Sequence, residues 1–300
     1  MKNKTVVIVL ALAAIVGFFL IAQKSNKSTT NQEIKQIVKE LIPITGITHG
    51  HGLAVDVADP SRLYIATHHG LLLLKNDKDL YQVGSTKDDY MGFSPHPTDP
   101  KIFFSSGHPE AGGNIGFQMS NDGGYSWEKV SEGVNGPVDF HAMAVNPANP
   151  KLIYGWYQGA VQRSMDGGKN WEIISQTKAP FVNLAADPKD ENIVYAASPQ
   201  GLMKSINKGK DWFTILPGFV STVAINPQNS MELLSYSEEE QLAKTLDGGI
   251  TWEKISADFE EETPLFISFN RQNPEIIYTL TEKNSIYKSI DSSTSWTKIR

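Results

Sequence analysis

An all-β fold built from repeated sheets is predicted by three observations. Five of the six tryptophans, Trp127, Trp171, Trp212, Trp252 and Trp296, recur at separations of 44, 41, 40 and 44 residues. Each closes one eight-residue frame, S/T-x-D/N-x-G/S-x-x-W, whose third position holds Asp122, Asp166, Asn207, Asp247 and Asp291. A second pattern, a short apolar strand, an Asn- or Asp-rich turn and another apolar strand, occurs six times. A period of roughly 40–50 residues carrying four short strands is one blade of a β-propeller. The chain therefore predicts a six-bladed β-propeller over residues 47–300, with seven blades as the alternative if residues 34–48 add strands.

Ahead of the repeats, Lys2 and Lys4 precede an unbroken apolar run of 17 residues, Val6 to Ala22. At 1.5 Å per residue this spans about 25 Å, at the short end for a membrane helix. The basic end is expected to stay in the cytoplasm. Residues 1–22 read as an uncleaved signal anchor, or as a signal peptide cut after Ala22. Leu20 at the −3 site favours the anchor. Either way the remainder is expected outside the cell membrane, anchored or secreted. The chain has no cysteine, which excludes a lipoprotein anchor and disulfide support. Residues 23–46 form a tether and lead-in. Gln23 to Gln32 is polar, and Ile34, Ile37, Val38 and Leu41 have the spacing of a short helix, a loosely packed lead-in being the alternative.

Removing residues 1–32 takes four lysines and moves the net charge from −6 to −10. That argues against nucleic acid, whose phosphates need a basic surface. About 265 residues remain, enough for one large all-β domain, expected to be a monomer.

The first strands begin at Leu53, Phe93, Met143, Leu184, Val223 and Ile267. Pro60, Pro100, Pro150 and Pro274 close four of the turns, and second strands follow at Leu63–Ala66, Ile102–Ser105, Leu152–Gly155, Ile193–Ala196, Leu233–Tyr236 and Ile276–Leu280. These are short apolar runs bounded by turn residues. A third strand leads into each tryptophan frame and a fourth leaves it. The first repeat lacks the frame, with Lys75 to Leu80 in its place. The second carries an insertion, Gly107 to Ile115, and its offset to the next repeat is 50 residues where the others are 39–44.

The tryptophan frame resembles the Asp-box, or BNR, repeat of sialidases, sortilin-like propellers and exported bacterial propellers of the glycosyl hydrolase-like type. The resemblance covers residues 50–300 and is specific for fold. Its residues have structural reasons. The carboxylate can accept backbone N–H groups in a tight turn, glycine takes positive φ, and the indole covers apolar area between blades. A structural role is therefore expected for all five Asp/Asn–Trp pairs.

In a propeller the strands alternate direction, so the connections from fourth to first strand and from second to third open on one face. Aligned by their turns, the repeats place His51, Met91 and His141 at one position, two residues before the first strand. His49, Asp89 and Asp139 lie two residues earlier. In the last three repeats these positions hold Val182, Ser221 and Leu265, and Pro180, Phe219 and Thr263. His68 and His69 end a second strand. His108, with Glu110, takes the equivalent place forty residues on, and Gln158 follows. Six of the seven histidines thus fall on one face of blades one to three, and His96 falls on the other. Imidazoles, carboxylates and a thioether converging on a mouth are a ligand set for Zn²⁺ or copper. Expected ligands are His49, His51, His68, His108, His141, Asp89, Asp139 and Met91. Neighbours on a strand point opposite ways, which selects His68 over His69.

Two rival functions remain. Asp89, Asp139 and Glu110 could serve as paired carboxylates for glycoside hydrolysis. The sialidase resemblance also implies an arginine triad and an F/Y-R-I-P motif. The motif is absent, and the four arginines do not meet at the mouth: Arg62 and Arg271 belong to turns of the opposite face, Arg163 to a third strand, and Arg300 is terminal. A sialidase is thereby disfavoured. The second rival is a protein-docking scaffold, to which Glu238, Glu239 and Glu240 could lend an acidic loop.

Overall fold

The computed structural model describes residues 39–300. The expected membrane segment, the polar tether and most of the expected lead-in helix lie outside the described residues. Leu41, assigned to that helix by spacing, belongs instead to strand β1 (Leu41–Pro43). It pairs antiparallel with the outer strand of the first blade, Leu41 opposite Val83. Residues 41–43 therefore widen blade one and found no seventh blade.

Six sheets follow in chain order. Blade one holds β2 (Gly50–Val55), β3 (Arg62–Thr67), β4 (Gly70–Lys75) and β5 (Asp79–Val83). Blade two holds β6 (Asp89–Pro95), β7 (Phe103–His108), β8 (Phe117–Ser120) and β9 (Glu128–Ser131). Blade three holds β10 (Ala142–Val145), β11 (Ile153–Tyr157), β12 (Ala160–Ser164) and β13 (Glu172–Gln176). Blade four holds β14 (Asn183–Ala186), β15 (Val194–Ser198), β16 (Gly201–Ser205) and β17 (Phe213–Pro217). Blade five holds β18 (Val220–Ile225), β19 (Leu233–Ser237), β20 (Gln241–Thr245) and β21 (Glu253–Lys254). Blade six holds β22 (Pro264–Phe269), β23 (Ile277–Thr281), β24 (Ile286–Ser289) and β25 (Thr297–Lys298). This is the six-bladed propeller that the repeats predict. In blades one and two the inner strand starts earlier than expected, so His51, Asp89 and Met91 lie within strands rather than ahead of them.

The tryptophan frame works as a hairpin clamp. In blade three, Asp166 Oδ1 accepts the Asn170 N–H and the Ser164 hydroxyl, both at 2.9 Å, while Oδ2 accepts Asn170 Nδ2–H at 2.7 Å. Ser164 Oγ in turn accepts the Gly168 N–H at 2.8 Å. These bonds, the Asn170 side chain's first, pull the Asp166 carboxyl down to about 2. Gly168 has φ of 86°, and a Cβ there would sit 1.9 Å from the Phe117 ring. The same bonds recur around Asp122, Asp247 and Asp291. Asn207 substitutes by accepting the Asp211 N–H and donating to its carboxylate.

Each clamp delivers its tryptophan to the junction with the preceding blade. Trp127 packs in the core shared by blades one and two, beside Tyr64, Tyr90 and Phe103. Trp171, Trp212, Trp252 and Trp296 repeat this at the next four junctions. All five indoles are half-buried. Trp171 Nε1–H donates to Gly168 O at 2.9 Å and to Ser131 Oγ of blade two at 3.0 Å, tying clamp to neighbour.

The sixth junction has no tryptophan because blade one has no clamp; Asn76 and Asp77, at φ of 54° and 58°, and Lys78 make a bare three-residue turn. There Leu63, Ile65, Leu72 and Leu80 meet Tyr278, Leu280 and Ile286, and Ile44, Ile47 and Ile299 cover the edge. Asp77 accepts a bond from Tyr278 Oη–H at 3.1 Å and pairs with Lys288 at 2.6 Å. Packing and cross-junction bonds close the ring without strand exchange.

If the clamps are scaffold, Asp166→Ala lowers unfolding free energy by about 1–2 kcal/mol, the usual loss for a capping-type bond. Denaturant titration measures this; a change in ligand affinity with unaltered stability contradicts the role.

Candidate functional site

The inner strands β2, β6, β10, β14, β18 and β22 surround an axial channel of about 220 Å³. Leu53, Phe93, Val145, Leu184, Val223 and Phe266 are among its lining residues, though polar atoms make up the larger part of its exposed wall. His51 and His141 stand at the end where the β2, β6 and β10 strands begin.

A β-bulge sets His51. Gly50 faces Thr67 and Gly52 faces Ala66, so His51 is the extra residue. Bulges re-aim side chains. The same irregularity recurs where Ser221 and Leu265 occupy the aligned position. The bulge is thus a property of the inner strand, and blade one furnishes it with an imidazole. His49, at φ of 40°, sits in the left-handed region just before it.

Asp89 is the first centre. Its carboxylate is buried, 8% exposed. Oδ2 lies 2.5 Å from His68 Nδ1, and Oδ1 lies 3.7 Å from His51 Nε2, beyond hydrogen-bond reach. Asp89 Oδ1 and His51 Nε2 are buried with no hydrogen-bond partner among the described residues. Such atoms are rare in native proteins. The Asp89 bond at Nδ1 leaves His68 Nε2 available, the carboxylate–imidazole arrangement that orients metal-binding histidines. Nitrogens of His49, His51 and His68 lie within 4.8 Å of one another. The His49 and His68 rings are stacked with centroids 4.7 Å apart, and His51 stands edge-on to both at 4.9 and 4.2 Å. One tetrahedral ion at ligand distances of about 2.0–2.1 Å needs nitrogens about 3.4 Å apart. The rings must draw closer to share one ion, and His49 and His68 are the exposed members of the three.

Asp139 is the second centre, also buried. Its Oδ2 lies 2.7 Å from His141 Nε2 and 3.1 Å from His108 Nε2. His108 Nδ1–H donates to Gly113 O at 2.8 Å, so the inserted loop orients this ring. The loop is fastened by Glu110 N–H to Asp88 Oδ1 at 3.0 Å, and by Asn114 Nδ2–H to Tyr157 Oη at 3.0 Å. Asp139 Oδ1 is another buried oxygen without a partner among the described residues.

The two centres share a design. His68, ending blade one's second strand, reaches Asp89 in blade two; His108, ending blade two's, reaches Asp139 ahead of blade three. The expected ligands fall into two groups: three imidazoles meet beside Asp89, and His108 and His141 lie against Asp139. Met91 is buried within β6 and is not among the channel-lining residues. Glu110 is exposed and held by its backbone, and His69 stands off from His68 at 6.3 Å between centroids. Glu238 and Glu239 are exposed and Glu240 half-buried in the β19–β20 turn, with no ion pair among the described residues.

His96 has a structural task. Its Nδ1 accepts the Asp99 N–H at 3.1 Å, as Asn146 Oδ1 does from Asn149 N–H in the next blade. Arg62 pairs with Asp56, and Arg163 with Glu172, both away from the histidines. Arg271 is at the turn end as expected, but it also lines the channel. Extending the repeat alignment one residue past the turn's Asn/Asp would have singled it out.

Burial comes first, then the rings of His68, His49 and His141, in pushing the His51 imidazole down to about 3. His141 moves the other way, raised by its bond to Asp139. His51 is therefore a neutral nitrogen donor across the physiological range.

No known family model matches the chain, and no curated protein does. Solved structures do. A GH74 enzyme of Niastella koreensis aligns at TM-score 0.58 and 16% identity over 83% of this chain and 46% of its own. YCF48 bound to a D1 peptide aligns at 0.56 and 14% over 86% and 84%. YCF48 from Cyanidioschyzon merolae aligns at 0.56 and 13% over 86% and 87%. The chain spans about half the length of the GH74 enzyme. At these identities the likeness establishes the β-propeller fold alone.

The depressed His51 pKa has a signed consequence. Unfolded His51 takes up a proton near pH 6.5 and folded His51 does so only near 3. Stability is thus lost as pH falls between those values. His141, raised, opposes this with stability that is present below pH 6.5 and lost as pH rises. Comparing wild type with His51→Gln isolates the first effect. From pH 7 to 5, metal-free wild type should lose about 2 kcal/mol more than the variant. Equal losses in denaturant titrations contradict a neutral buried His51.

Proposed function

We propose that this chain is an exported, membrane-tethered ligand-binding propeller, and that His49, His51 and His68 hold one divalent transition-metal ion, zinc or copper, at its mouth. The observation that carries the reading is three imidazole nitrogens within 4.8 Å, backed by a buried Asp89 and including the partnerless His51 Nε2. Three imidazole nitrogens with a fourth position left for another donor suit a site that takes an exogenous ligand. Asp89 fixes the His68 tautomer, and Asp139 with His108 and His141 supplies a polar flank.

Two observations bear on the rivals. The YCF48 neighbour was solved with a peptide, and its match spans most of both chains, which supports a second reading as a protein-docking scaffold. A glycoside hydrolase-like role at Asp89, Asp139 and Glu110 is less well supported. Both buried carboxylates are engaged by imidazoles, and the GH74 match covers under half of that enzyme.

Titration of the purified protein with Zn²⁺ and Cu²⁺, read by calorimetry and native mass spectrometry, tests the metal reading. One ion is expected per chain. The His51→Ala/His68→Ala double variant should lose it, Asp89→Asn should weaken it about 10–100-fold, and His96→Ala should leave it unchanged. Retention by the double variant sinks the site. For export, protease added to intact cells should degrade the propeller, and full protection places it inside.

A further inference from the structure

One seam between blades is covered less than the others. The residue two places before each clamp's Ser or Thr is Gln118, Gln162, Met203, Ala243 and Tyr287 in blades two to six. Gln118, Gln162, Ala243 and Tyr287 are 4%, 1%, 0% and 2% exposed, and Met203 alone is half-buried. Leu41 of β1 joins the core between blades one and two. Between blades two and three the connection 132–141 lays Val134 on Gln162, with Val134 N–H donating to Gln162 Oε1 at 2.8 Å and Gln162 Nε2–H to Val134 O at 3.0 Å. Between blades five and six the connection 255–263 lays Phe259 on Tyr287 and Trp296, at 5.1 and 5.4 Å between ring centroids. The connection 177–182 between blades three and four is shorter than either. A cleft of about 340 Å³ remains between it and Met203.

Phe181, Met203 and Trp212 line the cleft, and apolar atoms make up the larger part of its exposed wall. The Phe181 and Trp212 rings meet edge-on, with centroids 4.8 Å apart. The hydroxyls that line it are spent on backbone: Ser175 Oγ–H donates to Gly209 O at 2.9 Å, Thr177 Oγ1–H to Ala179 O at 2.9 Å and Ser198 Oγ–H to Gly201 O at 2.8 Å. Asp211 Oδ2 accepts Asn207 Nδ2–H at 2.7 Å within the clamp. Lys178 and Lys210 also line the cleft, and both are exposed, with no hydrogen bond or ion pair among the described residues.

The two ammonium groups enter from opposite ends. Lys178 belongs to the β13–β14 connection on the mouth face, and Lys210 to the clamp that follows β16 on the other face. Between them β16 runs for five residues, about 16 Å at the usual rise of a strand. Beside the cleft, β13 is the last strand of its sheet, whereas β5 in blade one is covered by β1. A free edge offers backbone N–H and C=O groups to an extended chain. An elongated apolar cleft with a cation at each end matches an extended segment that carries carboxylates on both sides of an apolar side chain. A compact aromatic acid would leave the strand edge and one ammonium unused.

We propose that the seam between blades three and four docks an extended acidic peptide, which sets one large apolar side chain against Met203 and Trp212 and its carboxylates toward Lys178 and Lys210. This gives the protein-docking reading a location and rests on that reading. It does not involve the histidine mouth or a metal there.

The test is fluorescence anisotropy of labelled heptapeptides EEVFVEE, KKVFVKK and EESGSEE with the full chain, in EDTA throughout. Wild type should bind EEVFVEE at least about tenfold more tightly than EESGSEE, the scale of burying one aromatic side chain, and more tightly than KKVFVKK. Lys178→Glu/Lys210→Glu should reverse the preference between EEVFVEE and KKVFVKK. Met203→Tyr, which fills the cleft with the ring that blade six carries, should weaken EEVFVEE about tenfold; if its melting curve shows that it does not fold, the charge reversal carries the test. No binding of EEVFVEE to wild type, unchanged affinity in both variants, or 3-phenylpropionate binding as tightly as the peptide overturns the proposal. Selection of random heptapeptides on wild type separates the seam from the docking reading. Selected peptides that bind both variants as well as wild type overturn the seam alone, and failure to select any peptide overturns both.

Discussion

Every sheet here is apolar on both faces, and no blade can cover itself. The ring of inter-blade junctions is therefore the interaction on which the structure depends, as in repeat architectures where each unit is stabilised by its neighbours. Five junctions are keyed by a clamp that projects one indole backwards into the preceding blade. The sixth is closed by leucine, isoleucine and tyrosine, with the lead-in residues Ile44 and Ile47 laid against it.

The histidine mouth inherits its geometry from those junctions. His68 reaches Asp89, and His108 reaches Asp139, each across the seam between successive blades. Rotation of one blade against the next would part imidazole from carboxylate before it broke any sheet. The bulge that aims His51 is likewise a recurrent feature of the inner strand, shared with Ser221 and Leu265. The scaffold thus supplies positions in all six blades, and blades one to three fill them with ligand-type side chains.

The blade count and the face were legible because tryptophan spacing and strand alternation are periodic, and periodicity survives without coordinates. The pairing was not. His49, Asp89 and Asp139 align in sequence, yet Asp89 is drawn into β6 opposite His108 while Asp139 stays ahead of β10. Equivalent positions therefore have different surroundings, Asp89 beside His68 and His51, Asp139 beside His108 and His141. Leu41 was misread because a three-residue strand is too short to show alternation against a helical spacing. His96 looked surplus until its Nδ1 was seen accepting the bond that Asn or Asp accepts in the other turns.

The central claim, that three imidazoles share one ion, is most directly tested by X-ray absorption at the zinc edge of the loaded protein. The account predicts three imidazole nitrogens at about 2.0–2.1 Å, with outer-shell ring scattering that drops by one imidazole in His51→Ala. A spectrum dominated by oxygen ligands, or one unchanged in His51→Ala, contradicts it.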